Sequence, residues 1–174
     1  MGAIRSGKFV PAHPDCVYER KSGIKIDRIV LHTMEGTLAG TVAFFQQGWE
    51  QRKVPTAAHY CIGRLGDVVQ MVDDRKKALH AGNYNSRSIG IEHEARIDSW
   101  PTSIRRPPFA VGEFPETMLA ASAEVTRILC VKFGVPADRE HIVGHNEVPG
   151  STHRDPGSGW PWDAYMALVT ATTT

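Results

Sequence analysis

A short segment late in the chain concentrates residues that could do acid–base or metal chemistry. Residues 144–157 read GHNEVPGSTHRDPG and contain two histidines, His145 and His153, together with the acids Glu147 and Asp155. Two Pro-Gly pairs interrupt the segment, which favours an irregular loop over a helix or strand. Its composition alone leaves two explanations open, a solvated polar loop or a metal or catalytic site carried on a loop.

A histidine elsewhere in the chain could complete such a site. Residues 25–32, KIDRIVLH, are dense in apolar and β-branched residues, which predicts a central strand buried on both faces and ending at His32. Open sheets commonly bind ligands at the carboxyl ends of their strands. His32, His145 and Asp155 would offer two imidazoles and one carboxylate, a set that suits zinc with a fourth position for water. A hydrogen-bonded structural histidine that closes the strand is the alternative, and spacing alone does not decide.

A second strand is predicted to carry a carboxylate. Residues 88–95, SIGIEHEA, alternate so that Gly90, Glu92 and Glu94 share one face. Because Gly90 has no side chain, it would leave room beside Glu92 for a bound group; a solvent-facing glutamate is the competing interpretation. His93 falls on the opposite, apolar face and is predicted to be a packed core histidine.

The remaining patterns predict a single domain of mixed helices and strands. Helices are expected at 38–51, 115–133 and after 160–162, a hairpin at 57–72, and a short strand at 141–143. Residues 75–88 are expected to form a polar surface loop carrying His80, and residues 97–115 a proline-rich insertion. An irregular arm at 1–24 would precede the domain at 25–170, and residues 171–174 would be a frayed tail or the start of a linker. The fold class is therefore α/β or α+β, with a small mixed sheet.

Composition excludes several classes of protein. The chain has 174 residues, 41% hydrophobic and 22% charged, which fits one globular domain. A net charge of +1 without a long basic run gives no sign of nucleic-acid binding, and no apolar run is long enough for membrane insertion. No signal-peptide pattern begins the sequence. Three widely spaced cysteines form neither a CxxC metal motif nor a disulfide framework.

Five segments carry a resemblance to a known family. IVLHTMEG, AAHYCIGRLGDVVQMV, ALHAG, SIGIEHE and GHNEVPGSTHRDPG occur in this order. Together they resemble the zinc N-acetylmuramoyl-L-alanine amidases of the type 2 amidase group, which are related to peptidoglycan recognition proteins and phage lysozyme-amidases. One segment alone would be weak evidence, whereas five in register across residues 25–170 are specific. The resemblance implies a mixed β-sheet flanked by helices, with zinc in a groove on one face.

The resemblance also implies roles for individual residues. His32, His145 and Asp155 match the family's zinc ligands, and Glu92 matches the catalytic glutamate found in part of the family. His153 stands where many relatives carry a lysine, and it would stabilise the oxyanion or donate a proton. Substrate contacts are expected from Thr33, His80 and Asn83, although a polar loop without a binding role remains open for the last two. Two further positions depart from the family: Ala58 replaces a tyrosine of some relatives, and Leu79 replaces a tryptophan that often precedes the His-Ala-Gly motif.

The implied reaction is hydrolysis of the amide bond between the lactyl group of N-acetylmuramic acid and L-alanine, with zinc as the sole cofactor. The substrate would be bacterial peptidoglycan or soluble muropeptides, and we expect a monomer. Two alternatives remain open: a non-catalytic peptidoglycan-binding module on the same fold, and a phage protein whose main role is to bind a host protein. A phage endolysin released through a holin is the expected setting, because the Thr-rich end could lead into a wall-binding module. A cytoplasmic wall-recycling amidase and a domain cut from a longer exported protein are the alternatives.

Overall fold

A six-stranded mixed sheet forms the centre of the computed structural model, which describes residues 7–97 and 108–171. The strands are β1 (Lys8–Phe9), β2 (Val17–Glu19), β3 (Arg28–Thr33), β4 (Tyr60–Ile62), β5 (Val68–Gln70), β6 (Lys76–Ala78), β7 (Ser88–His93) and β8 (Ile142–Gly144). The helices are α1 (Leu38–Phe45), α2 (Trp49–Arg52), α3 (Glu116–Phe133) and α4 (Trp162–Thr170). The main sheet has the order β1-β5-β4-β7-β3-β8, and β2 and β6 form a separate antiparallel pair.

The four central strands β4, β7, β3 and β8 are parallel, and β3 and β7 carry the predicted site residues His32, Thr33 and Glu92. In the register of β3 and β7, His32 lies beside Glu92. In the register of β3 and β8, Leu31 lies beside Gly144, so that His145 follows at the same edge of the sheet. The carboxyl ends of three adjacent strands therefore meet where open sheets bind their ligands.

The alternation of side chains along β3 and β7 separates the core from the site. Ile29 and Leu31 of β3 join Ile89 and Ile91 of β7 in the main core, which α3 and α4 cover. Val30 points to the opposite face and belongs to a separate apolar cluster with Val143 of β8. Because the side-chain period of a strand is two residues, His32 and Glu92 share that opposite face. The prediction of a strand buried on both faces is confirmed.

Helix α3 and the hairpin match their predictions. Helix α3 follows Pro115 and ends at Gly134, whose φ of +66° is the left-handed conformation that glycine adopts readily. Strands β4 and β5 pair in antiparallel fashion around the predicted turn at residues 64–66. His93 is buried, as predicted, and Cys61 and Cys130 are buried free thiols.

The prediction of one continuous helix over residues 38–51 is wrong, because this segment forms two helices, α1 and α2. Gly48 lies between them, and a Cβ atom there would come within 2.6 Å of the His13 ring. The backbone N–H of Trp49 donates to Asp15 Oδ2 at 2.9 Å, so that a side chain from the N-terminal segment begins the second helix. Trp49, the first residue of α2, is exposed.

Two segments predicted to be irregular contain strands. In the arm at 1–24, the described residues include β1, which pairs parallel to β5, and β2, which pairs with β6. The segment 75–88 contains β6 rather than only a surface loop, and its His80 is buried. Most of the proline-rich insertion, residues 98–107, lies outside the described residues, as does most of the predicted tail at 171–174. Within the described ranges, no helix combines the length and the apolar character needed to cross a membrane.

Candidate metal centre and active site

Three buried side chains bring ligand atoms together at the carboxyl edge of the sheet. The Nδ1 atoms of His32 and His145 lie 3.1 Å apart, and Asp155 Oδ2 lies 3.0 Å from the first and 3.3 Å from the second. Ligand atoms at about 2.0–2.2 Å from a tetrahedral zinc ion would lie on the order of 3.3–3.5 Å apart. The triangle therefore fits a small dication held by two imidazoles and one carboxylate.

The protonation states of these side chains also fit a metal. Burial raises the pKa of Asp155, but hydrogen bonds from His145 and His32 outweigh it and hold that pKa well below the usual range. Burial lowers the pKa of His32. A carboxylate and a neutral imidazole are the forms in which these groups bind metals.

The turn after β8 determines where His145 and Asp155 lie. His145 begins a single 3₁₀ turn (His145–Glu147), and the backbone N–H of Asn146 donates to the carbonyl of Asp155 at 2.9 Å. This bond closes the loop, so that Asp155, ten positions along the chain, returns to the side chains of His145 and His32. The predicted grouping of the three ligands is therefore present in the structure.

Glu147, for which the sequence offered no role, stabilises this turn. Its Oε2 accepts a hydrogen bond from the backbone N–H of Gly144 at 2.6 Å, and both carboxylate oxygens accept from Arg139 at 2.7 and 2.8 Å. Glu147 lies three residues after Gly144, which is the spacing of a capping box. This spacing was the signal in the sequence for its structural role. Glu147 thus supports the backbone that presents His145.

Glu92 faces the same space as the ligand cluster. Its Oε2 atom is shielded from solvent and has no hydrogen-bond partner among the described residues. Burial, together with the negative charges of Asp155 and Glu35, raises the pKa of Glu92 well above its usual value. A buried carboxyl group with a raised pKa in a groove is a candidate general base or acid.

His153 lies at the open side of the cluster. Its ring stacks on that of His145, with centroids 4.0 Å apart and planes inclined by 22°, and its Nδ1 lies 3.6 Å from Asp155 Oδ1. About 45% of its side chain is exposed. Burial, followed by the neighbouring His145, lowers its pKa. His153 can therefore reach a molecule in the groove without being one of the three clustered ligands.

The three predicted substrate contacts line the same groove as the cluster. Thr33 is buried, and its hydroxyl donates to Glu35 Oε1 at 3.3 Å. Asn83 lies at the exposed rim and donates to the carbonyl of Pro149 at 2.9 Å. His80 lies deeper, with both ring nitrogens in contact with protein side chains. Whether these residues touch substrate stays a prediction.

Gly90 does not leave the open space that the sequence suggested. A Cβ atom at this position would meet the His80 ring at 2.5 Å. The space that a side chain at position 90 would fill is therefore occupied by the ring of His80, which packs directly against the backbone of β7.

The groove has a volume of about 1400 Å³, enough for a ligand larger than a typical drug molecule. An apolar wall includes Phe44, Val54 and Pro55, and the described charged side chains that line the groove are those of Glu35, Arg52, Glu92 and Asp155. An open groove that ends at three convergent ligands and a nearby carboxyl group has the parts of a metal-dependent hydrolase.

Comparison with known proteins gives the family. Residues 22–158 match the family described as N-acetylmuramoyl-L-alanine amidase. N-acetylmuramoyl-L-alanine amidase A of Achromobacter lyticus is 33% identical over 159 residues, which cover 81% of each chain. The 1,6-anhydro-N-acetylmuramyl-L-alanine amidase AmpD of Salmonella typhimurium is 34% identical over 65% of this chain and 57% of that protein. The chain therefore belongs to the N-acetylmuramoyl-L-alanine amidase family, whose members are amide-bond hydrolases.

Solved structures agree on the fold. The crystal structure of a selenomethionine derivative of AmpD superposes with a TM-score of 0.74 at 24% identity, over 95% of this chain and 96% of that one. The amidase LysC from Clostridium intestinale gives a TM-score of 0.66 at 16% identity, over 95% and 99% of the two chains. The expected mixed sheet flanked by helices is confirmed, and so is the expected family.

Proposed function

We propose that this protein hydrolyses the amide bond between the lactyl group of N-acetylmuramic acid and the L-alanine of the stem peptide, with zinc held by His32, His145 and Asp155. The observation that carries the proposal is the triangle of ligand atoms, with edges of 3.0, 3.1 and 3.3 Å, beside Glu92 in register with His32. Membership of the amidase family supports the choice of bond.

The choice of zinc rests on the donors. Two imidazole nitrogens and one carboxylate oxygen form a borderline set that suits zinc better than magnesium or calcium, which prefer oxygen ligands. Three protein ligands leave a fourth tetrahedral position for water or substrate. When bound, zinc polarises a carbonyl group and lowers the pKa of a water molecule from about 15.7 to about 7.

The side chains around the cluster would move the protons. Glu92 accepts a proton from the attacking water, since its Oε2 is not engaged by another described residue. His153 donates a hydrogen bond to the oxyanion that develops on the lactyl carbonyl, and it can reach this atom because its ring lies at the open side of the cluster. The proton then passes from Glu92 or His153 to the nitrogen of L-alanine as the bond breaks.

A catalytic role is favoured over a non-catalytic binding module on the same fold. A module that only binds peptidoglycan would not need three convergent ligand atoms. Nor would it need a buried carboxyl group with an unsatisfied oxygen, since a buried polar atom without a partner costs about 1–3 kcal/mol of stability. Such a cost is explained when the atom is needed for chemistry.

The role of Glu92 can be tested with two substitutions. Glu92→Ala and Glu92→Gln should bind zinc as the wild type does, while hydrolysis of muropeptides falls by about 10² to 10⁴ because the general base is lost. Zinc content is measured by mass spectrometry of the metal, and hydrolysis by chromatography of the products. Cleavage by Glu92→Gln at the wild-type rate, with zinc retained, would show that Glu92 is not the base.

The form of the substrate is a separate question. We favour polymeric peptidoglycan, as in a phage endolysin, because the groove is open and its volume of about 1400 Å³ is larger than that of a typical small-molecule pocket. The AmpD relatives, named for a 1,6-anhydro substrate, make soluble anhydro-muropeptides the alternative. Parallel digestion of purified sacculi and of soluble anhydro-muropeptides, followed by mass spectrometry, separates the two: faster release from sacculi supports the endolysin-like role, and cleavage of only the soluble substrate contradicts it.

A further inference from the structure

A buried histidine lies directly behind one of the proposed zinc ligands. His80 Nδ1 lies 3.0 Å from His32 Nε2, and the two rings meet edge to face with centroids 5.2 Å apart. His32 points its other nitrogen, Nδ1, into the ligand triangle. The imidazole of His32 is therefore held between the ligand cluster on one side and His80 on the other.

The neighbouring groups determine which nitrogen carries each proton. If His32 Nδ1 binds a metal, its proton must be on Nε2, which then donates to His80 Nδ1. His80 must in turn carry its proton on Nε2, which lies 3.2 Å from Ser88 Oγ. The Ser88 hydroxyl donates onward to the carbonyl of Tyr84 at 2.7 Å, so that it accepts from His80 without conflict. All three hydrogen bonds have one consistent direction, away from the ligand triangle.

Other side chains fix His80 in this place. Its ring lies on Gly90, where any Cβ atom would overlap it. The Asn85 side chain accepts hydrogen bonds from the backbone N–H groups of His80 and Ala81 at 2.8 and 2.6 Å. Arg20 holds the same segment, donating to the carbonyls of Asn85, Ser86 and Ser88 at 3.2, 2.6 and 2.8 Å. The position of His80 is therefore built by three separate parts of the chain.

We propose that His80 is a positioning residue, which accepts the Nε2–H of His32 and so holds His32 with a proton-free Nδ1 facing the metal. Ligand histidines commonly donate their second N–H to a carboxylate or carbonyl, and the loss of such a partner costs about 10- to 100-fold in metal affinity. In this protein, the imidazole of His80 is the group that accepts the second N–H of His32. The inference rests on the proposed function, because it concerns the same zinc site.

A matched pair of substitutions isolates the hydrogen bond. His80→Asn places an amide oxygen where the Nδ1 atom was, and His80→Leu places a methyl group of similar size there. Zinc affinity is measured by competition with a chromophoric chelator, and Co²⁺ absorption reports the coordination geometry. Unfolding of the metal-free variants in urea checks that both fold. We expect zinc binding about 10- to 100-fold weaker in His80→Leu, and less than about tenfold weaker in His80→Asn.

Three outcomes separate this inference from the proposed function. Wild-type protein that binds no zinc would refute the zinc site itself. Wild-type zinc affinity in His80→Leu, or equal losses in both variants, would overturn the role of His80 while leaving the zinc site intact. If His80→Leu does not fold, long-range ¹H–¹⁵N NMR of the zinc-loaded wild type decides: we expect a proton on Nε2 and none on Nδ1 of His80, and a proton on Nδ1 would refute the proposal.

Discussion

His153 lies against a proposed zinc ligand at a position where the family resemblance leads one to expect a lysine. The stacking of its ring on His145, with centroids 4.0 Å apart, could serve either to support that ligand or to present a donor to substrate. The two roles differ in what they require, because stacking needs only a flat ring, whereas oxyanion stabilisation needs a nitrogen that carries a proton.

His153→Phe separates these roles, because it keeps a ring for stacking and removes both nitrogens. We expect zinc affinity close to that of the wild type and a kcat lower by about 10² to 10³, the usual effect of losing an oxyanion donor. His153→Gln, which keeps an N–H donor, should recover part of the rate. Steady-state kinetics on a soluble muropeptide measures both variants. Unchanged kcat in His153→Phe would limit His153 to structural support.

The residues of the ligand triangle could be predicted from the sequence, and their supporting residues could not. His32 ends an evident strand, and His145 and Asp155 belong to a loop rich in ionisable groups, so that both signals are local. His80 was expected on the surface because the segment that contains it, residues 75–88, is largely polar. Its burial depends on Gly90 and Arg20, which are close to it only in the folded protein.

At the scale of elements, the strands buried on both faces were the most predictable part. The short apolar run of β3 is rich in β-branched residues, which favours a central strand over a buried helix. The short strands β1, β2 and β6 have two or three residues each and contain charged side chains, so that their sequences carry no strand pattern. The break between α1 and α2 depends on Asp15, a long-range contact that a local helical period cannot reveal.

An ion pair joins the segments that lead into the central strands β3 and β7. Asp27 precedes β3 and Arg87 precedes β7; Arg87 Nε donates to Asp27 Oδ1 at 2.7 Å, and a second bond joins Nη2 to Oδ2. The hydrogen bond from Arg87 lowers the pKa of Asp27. A lowered pKa in the folded state means that this contribution is present above the unfolded pKa of about 3.9, and is lost as the pH falls through the folded pKa.

Asp27→Asn should therefore reduce the free energy of unfolding at neutral pH, by no more than about 1 kcal/mol because the pair is partly exposed. The difference from the wild type should shrink as the pH is lowered below about 4. Urea unfolding at a series of pH values measures it, and the same substitution in an Arg87→Gln background should show little pH dependence. A difference that stays constant from neutral to acidic pH would contradict the linkage.

In the whole molecule, one face of the main sheet packs into the hydrophobic core and the opposite face carries the proposed active site. Helices α3 and α4 cover one face and form the main core with Ile29, Leu31 and Ile91. The opposite face of β3 and β7 opens into the groove with His32 and Glu92. Because side chains alternate along these two strands, the same strands build the core with one set of residues and present the site with the other.

If water cleaves the bond between the lactyl group and L-alanine, one oxygen atom of the new lactyl carboxylate must come from the solvent. Peptidoglycan sacculi and, in parallel, soluble anhydro-muropeptides are digested with the zinc-loaded protein in H₂¹⁸O, and the products are analysed by mass spectrometry. We expect one ¹⁸O atom in the lactyl carboxylate and a free amino group on L-alanine, both absent after chelation of the metal and restored by zinc. Intact muramoyl–alanine bonds in both substrates, or cleavage within the glycan strand or further along the stem peptide, would contradict hydrolysis of this bond.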